Sequence, residues 1–107
     1  MLENIPLFAG LSEAALTEVE QHGSVRSFRE GVIVISQDDE TYSLYVILSG
    51  SVKVFISGED GREAVLNQQR AGDYFGDLAL IDKQPRVASV MTTEPSTFMI
   101  FSREDFL

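Results

Sequence analysis

From Ser24 onward the chain is written in short runs of β-branched and aromatic residues, each closed off by turn residues, and that spacing restricts the fold more than any other feature. The runs predict strands over Val25–Phe28, Val32–Ser36, Leu44–Leu48, Val52–Ser57, Glu63–Gln68, Val87–Thr92 and Thr97–Phe101. Ser49-Gly50 and Gly58-Glu59-Asp60-Gly61 supply hairpin turns between them, because glycine enters positive φ without a steric penalty. Short strands at even spacing with turn signals between them make a β-sandwich, a jelly roll or a small barrel. The class is therefore mainly β.

Helical signals are confined to the two ends. Ser12 caps a segment running to His22, Glu13 places a carboxylate in its first turn, and Gly23 stops it. Leu16 and Val19 form its apolar stripe, and Leu11 is placed to staple against Leu16. His22 in the last turn is a favourably placed cation rather than a catalytic group. At the other end Ser102 and Asp105 have the spacing of a capping box, and Leu107 ends the sequence within the first turn of the helix they announce. With no Pro/Ser-rich linker, repeat or low-complexity tract, residues 1–107 are expected to form one domain with no output domain of their own.

Composition then removes whole classes of chemistry. There is no cysteine and a single histidine among 107 residues, which argues against thiolate zinc sites, cysteine nucleophiles, Ser-His-Asp triads and the multi-histidine metal cup of a cupin-like barrel enzyme. No catalytic residue and no metal ligand is assigned, and no cofactor beyond a bound ligand is expected. The longest apolar run, Leu44–Leu48, is far short of a membrane span of about 20 residues, and the N-terminus lacks signal-peptide character, so a cytoplasmic protein without a membrane partner is expected. A net charge of −9 argues against direct contact with nucleic acid. The acid is uneven: residues 1–40 hold eight acids against two bases, whereas residues 70–90 hold three of each sign, so an anion is repelled least in the latter stretch.

That stretch carries the chemistry. Gly72–Val90 reads GDYFGDLALIDKQPRVASV: a glycine and a carboxylate, a small apolar helical turn, then Pro-Arg returning into a strand. Gly76 permits close backbone approach to a ligand, and the turn after Asp77 presents N–H groups of the kind that bind anions. Arg86 adds a fork of donors suited to phosphate oxygens. Asp77 would repel phosphate and is suited instead to accept from a sugar hydroxyl. The same Asp and Arg also read as a plain internal ion pair.

Here the chain resembles the cyclic nucleotide-binding domains of the catabolite gene activator, of protein kinase A regulatory subunits and of cyclic nucleotide-gated channels. Leu44-Tyr45-Val46-Ile47-Leu48-Ser49-Gly50-Ser51-Val52 is similar to the family's β-roll segment, and Gly72-Asp73-Tyr74-Phe75-Gly76 to its approach to the ligand. Gly76 through Val90 is similar to its phosphate-binding cassette, including the nine-residue step from carboxylate to arginine. The resemblance implies a double-stranded β-helix, a jelly-roll-like β-roll with a short N-terminal helix and a truncated C-terminal one. It implies a ligand site of Gly76, Asp77, Leu78, Ala79, Arg86, Val87 and Ala88. In it Arg86 and the N–H groups of Ala79 and Val87 hold the cyclic phosphate, while Asp77 and Gly76 hold the ribose 2′-hydroxyl. Asp77 stands where the family usually has Glu, and Val87 where a small or hydroxyl side chain is common.

The resemblance implies a regulatory binder, not an enzyme, with a cyclic purine nucleotide as ligand. Without a hydroxyl at position 87, cAMP is expected ahead of cGMP. Leu66, Phe75, Leu78 and Val90 are the apolar candidates for the floor of the site. The other reading keeps the fold and drops the ligand, leaving a docking or dimerisation scaffold. A homodimer or a fused output domain is compatible with either.

Overall fold

Residues 2–36, 43–76 and 88–102 are described by the computed structural model of the chain. The helix α1 spans Glu13–His22, and eight strands follow: β1 (Ser24–Phe28), β2 (Ile33–Ile35), β3 (Ser43–Ser49), β4 (Ser51–Ser57), β5 (Glu63–Arg70), β6 (Tyr74–Phe75), β7 (Ser89–Thr92) and β8 (Ser96–Ser102). They form two antiparallel four-stranded sheets, ordered β1-β8-β3-β6 and β2-β7-β4-β5. The expected β-roll is thus present, with consecutive strands β3 and β4 placed in different sheets on either side of Gly50. The expected C-terminal helix falls on residues 103–107, outside the described residues.

The long apolar run in β3 has a direct cause. Leu44 and Val46 point to one side of the first sheet, against Leu2, Ile5, Met99 and Phe101. Ile47 points to the other side, into a second cluster with Ile35, Val52, Phe75, Val90 and Phe98 between the sheets. A strand buried on both faces shows no polar alternation, so its apolar residues run together. The outer cover of the first sheet is the N-terminal segment: Phe8 of a 3-10 turn at Pro6–Phe8, with Leu16 and Val19 of α1, packs onto Leu44, Val46 and Phe101.

Ser12 caps α1 as its position predicts, its hydroxyl oxygen accepting from the Ala15 N–H at 3.2 Å. Leu16 packs on the core, while Leu11 before the cap is 43% exposed. Gly23 ends the helix for a different reason from the left-handed cap that glycine usually supplies. Its φ is −95°, and the constraint is space, since a Cβ there would lie 2.7 Å from Met99 Cγ and 2.9 Å from Phe101 Cε1.

β5 is an edge strand, solvent-exposed along almost its whole length. Its register against β4 shifts between Val54 and Phe55, and the Gln68 and Arg70 N–H groups donate to Asn67 Oδ1 (2.9 Å) and Asp73 Oδ2 (3.0 Å). A bulge with side-chain-capped amides blunts an edge against pairing with another chain.

Thr92 ties the second sheet to the turn before β2. Its hydroxyl donates to Arg29 O at 2.6 Å and accepts from the Val32 N–H at 2.9 Å, with the side chain 1% exposed. Thr92→Val keeps the shape and strands both backbone groups. A loss of about 1–3 kcal/mol is expected, measured as a lower urea midpoint at unchanged slope.

Candidate ligand site at the β6–β7 connection

The connection from β6 to β7 crosses from one sheet to the other. Phe75 of β6 pairs with Tyr45 at the edge of the first sheet, and Ser89 of β7 pairs with Phe55 inside the second. Tyr45 and Phe55 are equally far along the sequence from the Gly50 corner, so the connection leaves and re-enters the roll at strand segments remote from that corner. Gly76 and Ala88, its two ends, are both half-buried. Gly76 has φ +95°, a conformation open to glycine and strained for other residues, as its place in the motif requires. Asp77, Leu78, Ala79, Arg86 and Val87 lie outside the described residues.

The apolar candidates separate. Phe75 and Val90 are buried members of the cluster between the sheets, at 6% and 4% exposure. Leu66 is 55% exposed and sits beside the β5 bulge. Leu78 lies outside the described residues. Residues that the strand spacing did not single out join the group: Tyr45, Val34 and Val54 pack on the same cluster while remaining partly exposed. Tyr45 stacks flat on Phe75, with centroids 4.9 Å apart and planes at 6°. An aromatic residue in a strand reads as core, and only its pairing with Phe75, far along the chain, distinguishes it.

Nearby cations in the described residues are engaged. The Lys53 ammonium lies over the Phe55 ring at 5.1 Å and ends 2.9 Å from Glu63 Oε2, so its stem covers a ring that pairs with the start of β7. Arg62 sits 3.4 Å from Asp60 on the β4–β5 turn. Neither is left as a free partner for an anion.

Two clefts lined by described residues lie elsewhere. One of about 290 Å³ is bordered by Ser51, Gln69, Arg70, Thr93 and Glu94, and one of about 390 Å³ by Pro6, Leu7, Gln69 and Tyr74. Neither is lined by Gly76 or Ala88. Among the described residues no three His, Asp or Glu side chains are grouped to hold a metal, and no helix is long and apolar enough to cross a membrane.

Comparison with known proteins agrees with this architecture. The regulatory subunit of cAMP-dependent protein kinase from Mycosarcoma maydis is 36% identical over 89 residues, covering 83% of this chain and 17% of that protein. The Thermus thermophilus catabolite activator protein superposes with a TM-score of 0.87 at 30% identity, over 94% of this chain and 47% of that one. So does a variant of the regulatory subunit of a cAMP-independent protein kinase A from Trypanosoma brucei, bound to cAMP in its A site, with a TM-score of 0.89 at 30% identity over 98% of this chain and 39% of that one. In that variant a Glu is replaced by Ala and, seven and eight positions further on, a Thr by Arg and a Val by Ala. This chain therefore spans less than half the length of each of these relatives. The family model described as the cyclic nucleotide-binding domain matches residues 25–107, from the first strand through the β6–β7 connection to the last residue, and the chain belongs to that family.

Proposed function

We propose that the chain is a regulatory module that binds a cyclic purine nucleotide at the β6–β7 connection, cAMP in preference to cGMP. Arg86 with the N–H groups of Ala79 and Val87 takes the cyclic phosphate. Gly76 and Asp77 take the ribose 2′-hydroxyl, and Leu78 and Ala88 complete the walls. Occupancy changes the docking of the segment that follows β8 and so reports to an output domain or a partner subunit. The work is binding and relay, with no bond made or broken.

One observation supports cAMP as a ligand. The Trypanosoma brucei variant that holds cAMP has Ala, then Arg and Ala at seven and eight positions beyond. In this chain Arg86 alone among the arginines has an alanine seven positions before it, Ala79, and it is followed by Val87. Two of the three residue types in the cAMP-bound variant are thus native here. The third, Val87, is the type found in the parent described as cAMP-independent.

Calorimetry with cAMP and cGMP tests this reading directly, with thermal melting beside it. Nucleotide at 100 times its dissociation constant adds about 2.7 kcal/mol to a binder and nothing to an empty scaffold. No heat and no shift with either nucleotide would leave the scaffold, in which Asp77 and Arg86 pair internally. Val87→Ala removes the branched side chain next to the arginine and completes the cAMP-bound pattern. It is expected to tighten cAMP binding roughly tenfold, the scale of one or two methyl groups in a pocket, read from the same titration.

A further inference from the structure

The core between the sheets is sealed at the Gly50 corner, and at its other end half-buried residues stand beside the buried Ile35, Phe75 and Val90. Beside the Gly50 corner, Ile47, Val52, Thr92, Ser96 and Phe98 are at most 2% exposed. Towards the β6–β7 connection the interior-facing Tyr45 and Val54 are only half-buried. Tyr45 is therefore the aromatic residue that bridges sealed core and binding end.

Its ring contacts are specific. Tyr45 stacks on Phe75 at 4.9 Å and stands edge-on to Phe98 at 6.1 Å and 87°. Phe75 is itself edge-on to Phe98, at 5.5 Å and 90°. Offset stacks and edge-to-face pairs are the two arrangements that the aromatic quadrupole favours, so three mutually consistent contacts fix the Phe75 ring in place and orientation. The residue after Phe75 is Gly76, where the chain turns through φ +95° into the proposed cassette. β6 is two residues long; its pairing with β3 at Tyr45 and Val46 is continued by the Ile47 N–H to Asp73 O and the Gly72 N–H to Ile47 O, both 2.9 Å, on the side away from Gly76, so Tyr45–Phe75 is the last pair before the loop's origin.

We infer that Tyr45 is a positioning residue for nucleotide binding: by clamping Phe75 it sets the origin and direction of the Gly76 backbone from which the cassette approaches the ligand. The inference rests on the cyclic-nucleotide reading above. A nucleotide bound next to Gly76 is sensed at Tyr45 because a shift of the Phe75 backbone moves the ring stacked on it. Removing the ring should loosen binding without removing any group that touches phosphate.

The test compares Tyr45→Phe, which keeps the ring, with Tyr45→Leu, which keeps apolar volume and loses the stack. Titration with cAMP should find the Phe variant within about threefold of the unaltered protein and the Leu variant weaker by about tenfold, the upper range for one aromatic pair. Ring signals of Tyr45 in protein carrying carbon-13 tyrosine, assigned by their loss in Tyr45→Phe, should shift on saturation with cAMP. Binding by Tyr45→Leu within twofold of the unaltered protein overturns the inference, as do unmoved Tyr45 signals at saturation. If Tyr45→Leu does not fold, the ring signals of the unaltered protein decide. An unaltered protein that binds neither cAMP nor cGMP removes the parent reading instead, which the first titration shows before any variant is made.

Discussion

Replacing Arg86 by Ala should weaken cAMP binding by about 2–5 kcal/mol, the cost of removing one partner of a desolvated charge pair. At 1.4 kcal/mol per decade this is on the order of 30-fold to several thousand-fold in dissociation constant. The size follows from what else is at hand. Lys53 is spent on Glu63 at 2.9 Å and Arg62 lies beside Asp60, while the chain as a whole carries a charge of −9 that disfavours any anion. Once the guanidinium is gone, the proposed N–H donors of Ala79 and Val87 lose their charged partner at the phosphate. Arg86→Lys keeps the charge but not the planar fork, and should recover only part of the loss. Melting of the ligand-free variant separates the two readings of Asp77 and Arg86. A binder with a waiting arginine loses affinity and keeps its unliganded stability; a scaffold with an internal ion pair loses stability and had no affinity to lose. Equal cAMP affinity in Arg86→Ala and unaltered protein would end the assignment of the phosphate to Arg86.

The parts of this molecule that local chemistry controls were legible before any coordinates. Ser12 as a cap, Gly50 and Gly61 in turns at positive φ, and the strand runs themselves depend on neighbours a few residues away. What depends on distant partners was not. The division of strands into two sheets pairs β1 with β8 and β2 with β7, contacts across more than half the chain that no local pattern encodes. β6 was missed because two residues have no period. The need for glycine at position 23 is set by Met99 and Phe101, not by the helix it ends. The candidate site divides the same way: Gly76, Asp77 and Arg86 announce themselves by type and spacing, whereas Tyr45 looks like any core aromatic until Phe75 is seen stacked on it. Residue types chosen for chemistry stand out in a sequence; residues chosen for position do not.

The corner between the sheets shows how much one position of the second kind can hold. Gly50 has φ +94°, and a Cβ there would fall 2.2 Å from Ser96 Oγ and 2.6 Å from Ser96 Cα. Ser96 cannot step aside cheaply. Its hydroxyl accepts from the Ser51 N–H at 3.1 Å and donates to Glu94 O at 2.8 Å, and the residue is 2% exposed. Gly50→Ala therefore adds a left-handed L-residue, about 1–2 kcal/mol, to a forced shift of packed backbone, about 1–3 kcal/mol. The expected loss of about 2–5 kcal/mol is a large share of the ~5–15 kcal/mol that a domain commonly has. It should appear as a fall in melting temperature of roughly 10–30 °C. Gly31→Ala is the control, since Gly31 has φ +81° with nothing within 4 Å of the added carbon and so loses only the conformational part. If the two variants melt together, the close approach at Ser96 has no energetic weight. If Gly50→Ala melts well below Gly31→Ala, the difference measures the contact that fixes β3 against β4, and with it the alignment of Tyr45 and Phe55, whose strand partners Phe75 and Ser89 flank the β6–β7 connection.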